Sequence, residues 1–157
     1  GVAQIAFYQL QSRPVEDVLP PLLQKTYDSG NKAEIIAPEH IHNDLSQHIW
    51  TQKPDSWLPH GIIGRDDKQM DKSDCPIWIM ADESDQHDAD MFRFYVAGQM
   101  PSEQMLAHAN GRMFIVFDGR NDDSLNAART SWKSWREDNH DLSYFEQDDQ
   151  KGWVKKF

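Results

Sequence analysis

Residues 5–50, IAFYQLQSRPVEDVLPPLLQKTYDSGNKAEIIAPEHIHNDLSQHIW, decide the fold. Ile5-Ala6-Phe7-Tyr8-Gln9-Leu10 is short, apolar and aromatic between polar neighbours, the pattern of a strand buried on both faces. Arg13-Pro14 ends it. Val15 to Ser29 has helical spacing. A proline lacks the N–H that a helix interior needs, so Pro20 and Pro21 are expected in the first turn of a helix or at a break in a longer one. Gly30 supplies a stop. Ala33 to Ala37 then reads as a second strand, and Pro38 opens a second helix running to about Trp50. Strand, helix, strand, helix in this stretch implies parallel pairing through right-handed crossovers.

Outward from that stretch the pattern continues. Pro76 to Met80, Phe92 to Val96, Arg112 to Phe117 and Leu142 to Glu146 read as further strands, and Trp153 to Phe157 as a tail packing at an edge. Ser102 to Ala109 is a short helix that Ser102 can cap. Asp66 to Asp74 and Asp82 to Asp90 are acidic and poor in apolar residues, and are expected as exposed loops. The expected architecture is α/β: a single layered domain over residues 1–157, with a mostly parallel central sheet flanked by helices.

Composition narrows the class. The chain has 157 residues, enough for one core. With 26 acidic against 16 basic residues its formal net charge is -10, which repels polyanions, so direct nucleic-acid binding is not expected. No apolar run approaches the ~20 residues that span a bilayer. Gly1-Val2-Ala3-Gln4 lacks the charged and apolar regions of a signal peptide, so a cytoplasmic protein is expected. Cys75, the single cysteine, excludes an intramolecular disulfide and reads as a buried structural thiol.

Against that acidic background one segment stands out. Asp122 to Glu137 has helical spacing and is entered from an apolar strand through Asp118-Gly119-Arg120. At about 100° per residue, Arg129, Lys133 and Arg136 share one narrow stripe. Leu125 and Trp132 lie beside it, and Ala128 and Trp135 continue round the same side toward a core. No acidic residue occurs from Ala127 to Arg136. A positive rim next to an aromatic edge suits a peptide that brings both an apolar side chain and negative charge. The plainer reading is a solvated basic face with a boundary tryptophan.

The sequence carries little that points to catalytic or cofactor chemistry. The first strand-to-helix turn, Gln11-Ser12-Arg13-Pro14-Val15, has no glycine to let backbone amides approach a phosphate, and there is no Gly-Lys-Ser/Thr loop. Asp118 therefore reads as a turn residue. His40 and His42 point to different sides of a helix, and Asp44 does not repair that geometry. Asp85, His87, Asp88 and Asp90 lack the ligand order of a calcium loop. No cofactor, metal site or catalytic residue is expected. The competing reading is a small α/β nucleotide-binding regulator or enzyme whose groups meet only in space.

A loop rich in aromatics and prolines follows the second helix, with Trp50, Trp57, Pro59-His60 and Gly64. Taken alone, Trp50 is expected in the core, and Trp57 reads equally as pocket or core. Several segments now combine: Phe7-Tyr8-Gln9-Leu10, the Trp50, Trp57, Pro59-His60, Gly64 spacing, and Phe117-Asp118-Gly119 followed by Asp123-Ser124-Leu125, Ala128-Arg129 and Trp132-Lys133. Together and in this order they resemble the chi subunit of the bacterial DNA polymerase III holoenzyme. Arg65 to Asp90 carries little of the likeness.

The resemblance implies a Rossmann-like fold without nucleotide binding, and a non-catalytic accessory subunit of the clamp-loader assembly. It implies two partners: the acidic C-terminal tail of single-stranded DNA-binding protein, which ends in Pro-Phe, and in some bacteria the psi subunit, which connects chi to the clamp loader. Carried over by motif, the tail pocket is formed by Arg129, Trp132 and Lys133, with Trp50 and Trp57 as apolar neighbours; the stripe geometry adds Arg136. Where family members carry another lysine in the first turn of this helix, Leu125 and Asn126 stand here.

Overall fold

The computed structural model describes residues 3–51, 58–85, 88–108 and 110–157. The elements in chain order are β1 (Gln4–Leu10), α1 (Val15–Asp28), β2 (Lys32–Ile36), a 3-10 turn (Glu39–Ile41), α2 (His42–Thr51) and β3 (His60–Ile62). After a second 3-10 turn (Lys72–Asp74) come β4 (Ile77–Met80), β5 (Met91–Val96), α3 (Glu103–His108), β6 (Arg112–Asp118), α4 (Asp122–Glu137), β7 (Asp141–Asp148) and β8 (Gly152–Lys155). The strands form one sheet in the order β3-β4-β2-β5-β6-β1-β7-β8. Every pairing is parallel except that of β7 with β8.

Alternation along the strands sorts the core into two layers. Ala6, Leu10, Ile35, Ile79, Phe94, Phe114 and Val116 meet α1 and α2 through Leu19, Leu23, Leu45 and Ile49. On the other face Phe7, Trp78, Tyr95, Met113, Ile115 and Phe117 meet α3 and α4 through Met105, Leu106, Ala128 and Trp135. The layered, mostly parallel α/β architecture read from the sequence is the one observed. The Ser102 cap is also in place, its hydroxyl accepting from Met105 N at 3.1 Å. Cys75 is buried, which pushes its thiol pKa up.

Local differences have physical causes. Pro20 and Pro21 lie inside α1, in its second turn, and neither interrupts it. Burial of Val18, Leu19, Leu22 and Leu23 holds the helix through the two missing donors. β3 was not legible, because three residues including a glycine carry no periodic signal. The acidic segments are more than solvated loops. Glu34 on β2 is 1% exposed at its side chain and faces the fully buried Arg93 on β5, with Arg93 Nε 3.3 Å from Glu34 Oε1. Lys72 approaches the same carboxylate at 3.2 Å, and the Ser84 hydroxyl donates to it at 2.6 Å. Tyr95 donates to Glu83. Each segment thus folds at least one side chain down onto a buried ion pair.

Trp50 is a further correction: it is 42% exposed on α2, not in the core. Its ring lies 4.6 Å from that of His60, the first residue of β3. His60 is buried and held by Ser46 Oγ at 2.8 Å and Leu58 O at 2.9 Å. Burial pushes its pKa below the ordinary value near 6.5. The unfolded chain therefore binds more protons than the folded one from about pH 6.5 down to the lowered pKa. Stability contributed by neutral His60 is present above that window and declines as pH falls through it. His60→Gln should flatten this part of the pH dependence in urea titrations.

Gly119 follows β6 and donates its N–H to Leu10 O at 2.8 Å, which ties the ends of β6 and β1 together. A Cβ there would lie 2.5 Å from Gln9 Cγ and 2.8 Å from the Leu10 carbonyl oxygen. Gly119→Ala is expected to destabilise the fold by about 1–3 kcal/mol through overpacking, measured by chemical denaturation.

Candidate functional site

α4 spans the residues its pattern implies, and its start is well determined. Asp118 Oδ1 accepts from Arg120 N at 2.9 Å, closing the turn after β6. The Asn121 side chain then accepts from Ser124 N at 2.9 Å and caps the helix, with Asp122 and Asp123 in the first turn favoured by the helix dipole. Ala128 and Trp135 bury their side chains, while Leu125 and Trp132 are half-buried. Arg129, Lys133 and Arg136 are exposed.

Where α4 meets the C-terminal half of β1 and β7, a cleft of about 600 Å³ opens. It is lined by Gln9, Leu125, Arg129, Trp132, Tyr144, Glu146, Lys156 and Phe157. Its base is aromatic. The Trp132 ring stands edge-on to Phe7 at 5.4 Å and to Tyr144 at 5.7 Å, and Phe7 stacks on Tyr144 at 6.0 Å. The Tyr144 hydroxyl donates to the Gln9 side chain. Burial, then Glu146, pushes the Tyr144 phenol pKa up, while the Arg129 guanidinium pulls it down. Among the described residues neither Arg129 nor Lys156 enters an ion pair. The cleft thus offers an uncommitted guanidinium and a lysine beside apolar rings, with Glu146 the one acidic lining residue among the described residues.

The residues singled out from the sequence do not all meet here. Arg129 and Trp132 line the cleft; Lys133 and Arg136 lie on the exposed side of α4, outside its lining. Trp50 is elsewhere altogether, on α2 beside the β3 edge, whereas β7 and β8 form the opposite edge of the sheet. It is not an apolar neighbour of Arg129 and Trp132. Trp57 lies outside the described residues, as does His87 of the acidic loop. His42, one of the histidines considered for metal binding, is buried with Nε2 2.8 Å from Ala37 O. Among the described residues no group of three or more His, Cys, Asp or Glu is placed to hold a metal ion.

Five lining residues went unread in the sequence: Gln9, Tyr144, Glu146, Lys156 and Phe157. A partial signal existed. Gln9 is a polar residue inside an apolar strand, and alternation puts it on the same face as Phe7. The parallel register of β1 with β7 then sets Phe7 opposite Tyr144 and Gln9 opposite Glu146.

Among the described residues no helix is long and apolar enough to cross a membrane. No curated protein sequence matches the chain. A family does: the sequence model described as DNA polymerase III chi subunit, HolC, matches residues 2–143, which includes β1, the whole of α4 and the Asp118-Gly119 turn between β6 and that helix. With nearly its full length matched and the layered α/β fold in place, the chain belongs to the chi subunit family of DNA polymerase III, whose role in replication is an accessory one.

Proposed function

We propose that the α4–β7 cleft binds the acidic C-terminal tail of single-stranded DNA-binding protein, and that this chain is a non-catalytic cytoplasmic adaptor linking that protein to the clamp-loader assembly, through psi in bacteria that have it. The observation carrying this reading is Arg129, outside any ion pair among the described residues, beside the half-buried Trp132 and Leu125 in an open cleft. An acidic peptide ending in Pro-Phe brings the complement of both features. Its ring is taken up by the Trp132 and Tyr144 edge, and its α-carboxylate by Arg129.

Magnitudes rank the contacts. Burying a terminal Phe contributes roughly 1.5–3 kcal/mol, and a charge-assisted bond from Arg129 to the carboxylate about 1.5–3 kcal/mol. Lys133 and Arg136, exposed on the rim, add only ~0.2–1 kcal/mol each and are screened by salt. After ordering costs the affinity should be micromolar, about -8 kcal/mol. Glu146 in the lining opposes a high density of negative charge close to the ring site.

Calorimetric titration with an acidic peptide ending in Pro-Phe, against a control lacking the Phe, tests the assignment. Binding should be lost with the Phe. Arg129→Ala should weaken it by about tenfold or more with an unchanged melting temperature, since the side chain is exposed. Lys133→Ala and Arg136→Ala should each cost no more than about fivefold. Wild-type affinity in Arg129→Ala would overturn the role given to that residue.

A further inference from the structure

We infer that Phe157 occupies the place an incoming aromatic residue takes, so that the cleft carries its own competitor; the inference rests on the peptide-binding reading above. Beyond Lys155 the chain continues along β7. Lys156 N donates to Tyr144 O at 2.8 Å, and Tyr144 N donates to Phe157 O at 3.2 Å. Main-chain bonds thus fasten this segment to the residue whose ring forms one wall of the cleft. They deliver the Phe157 ring to 5.8 Å from Trp132, tilted at 50°, and 5.8 Å from Tyr144, edge-on at 82°. The second is the edge-to-face geometry that aromatic pairs favour.

The resident ring is nevertheless poorly covered. Phe157 remains 71% exposed, the highest value among the exposed large apolar residues described. It touches the cleft on one flank, so it is held less firmly than a ring inserted into the cleft would be. Charge works in the same direction. Lys156, the residue before Phe157, lines the cleft with Arg129, so two cations stand beside the resident ring. A partner with an aromatic residue preceded by acidic ones meets those cations with opposite charge. Exchange therefore favours acidic aromatic peptides over neutral ones: the neutral peptide must displace the same ring without the electrostatic gain. The contact with Phe157 lowers the affinity of both by the same factor, and the preference between them comes from Arg129 and Lys156.

The test is a parallel titration of the wild-type protein and Phe157→Ala with the acidic peptide ending in Pro-Phe, with thermal melts to establish that both are folded. Removing the competitor should tighten binding about 3- to 10-fold, the worth of one aromatic pair. Phe157→Leu, which keeps apolar bulk and loses the ring, should fall between the two and takes the place of the alanine variant if that variant is unfolded. Equal or weaker binding by the variants, with the wild type binding, would overturn this inference and leave the peptide reading standing, Phe157 then being a bystander or a wall. No binding by any of the three would overturn both. Binding by the variants alone would support both.

Discussion

The site depends on the packing of α4 against one buried ring. Phe7, fully buried in the centre of β1, has Trp132 and Trp135 of α4, Tyr144 of β7 and Phe117 of β6 within 5.4 to 6.5 Å. Trp135 is driven inward and Trp132, one turn earlier, is left half-buried at the boundary. Arg129 lies a further turn back, so the helix carries its charge past the aromatic base of the cleft. The rings are large, rigid groups whose burial fixes the rotation of α4 about its own axis, and that rotation decides whether the basic stripe borders a cleft or points into bulk water.

Charge distribution gives this arrangement meaning. On a chain of net charge -10, Ala127 to Arg136 carries three basic residues and no acidic one. Elsewhere several basic groups are already engaged: Arg120 lies 3.3 Å from Asp118, Arg65 lies 2.8 Å from Asp66, and Lys32 lies 3.0 Å from Asp88. Arg129 is not committed in that way among the described residues. The negative net charge of the chain discourages binding along a nucleic-acid backbone, whereas Arg129 remains open to a single negative group.

The acidic segments illustrate a different constraint. Glu34 and Arg93 face each other across β2 and β5 in the middle of the sheet, where an unpaired charge would be strongly destabilising. Lys72 and Ser84 reach them from segments that otherwise look like solvated linkers. Pairing at the core thus organises two polar stretches that no apolar pattern would have drawn in, and it does so on the half of the sheet away from the α4–β7 cleft.

What the sequence by itself determined is local. The order of strands and helices apart from β3, the limits of α4, the Ser102 cap, the glycine-free first turn and the apolar face of the last helix all follow from spacing within a single element, where neighbouring side chains have fixed angular relations. The tertiary structure alone decided which elements share the site. Trp50 and Arg129 look like partners along the chain, yet strand order places them at opposite edges of the sheet. Gln9 and Tyr144, separated by 135 positions, share a hydrogen bond. Their meeting depends on β1 lying between β6 and β7 in a particular parallel register, and register is a property of two strands together, set by the whole sheet's packing and invisible to the periodicity of either strand.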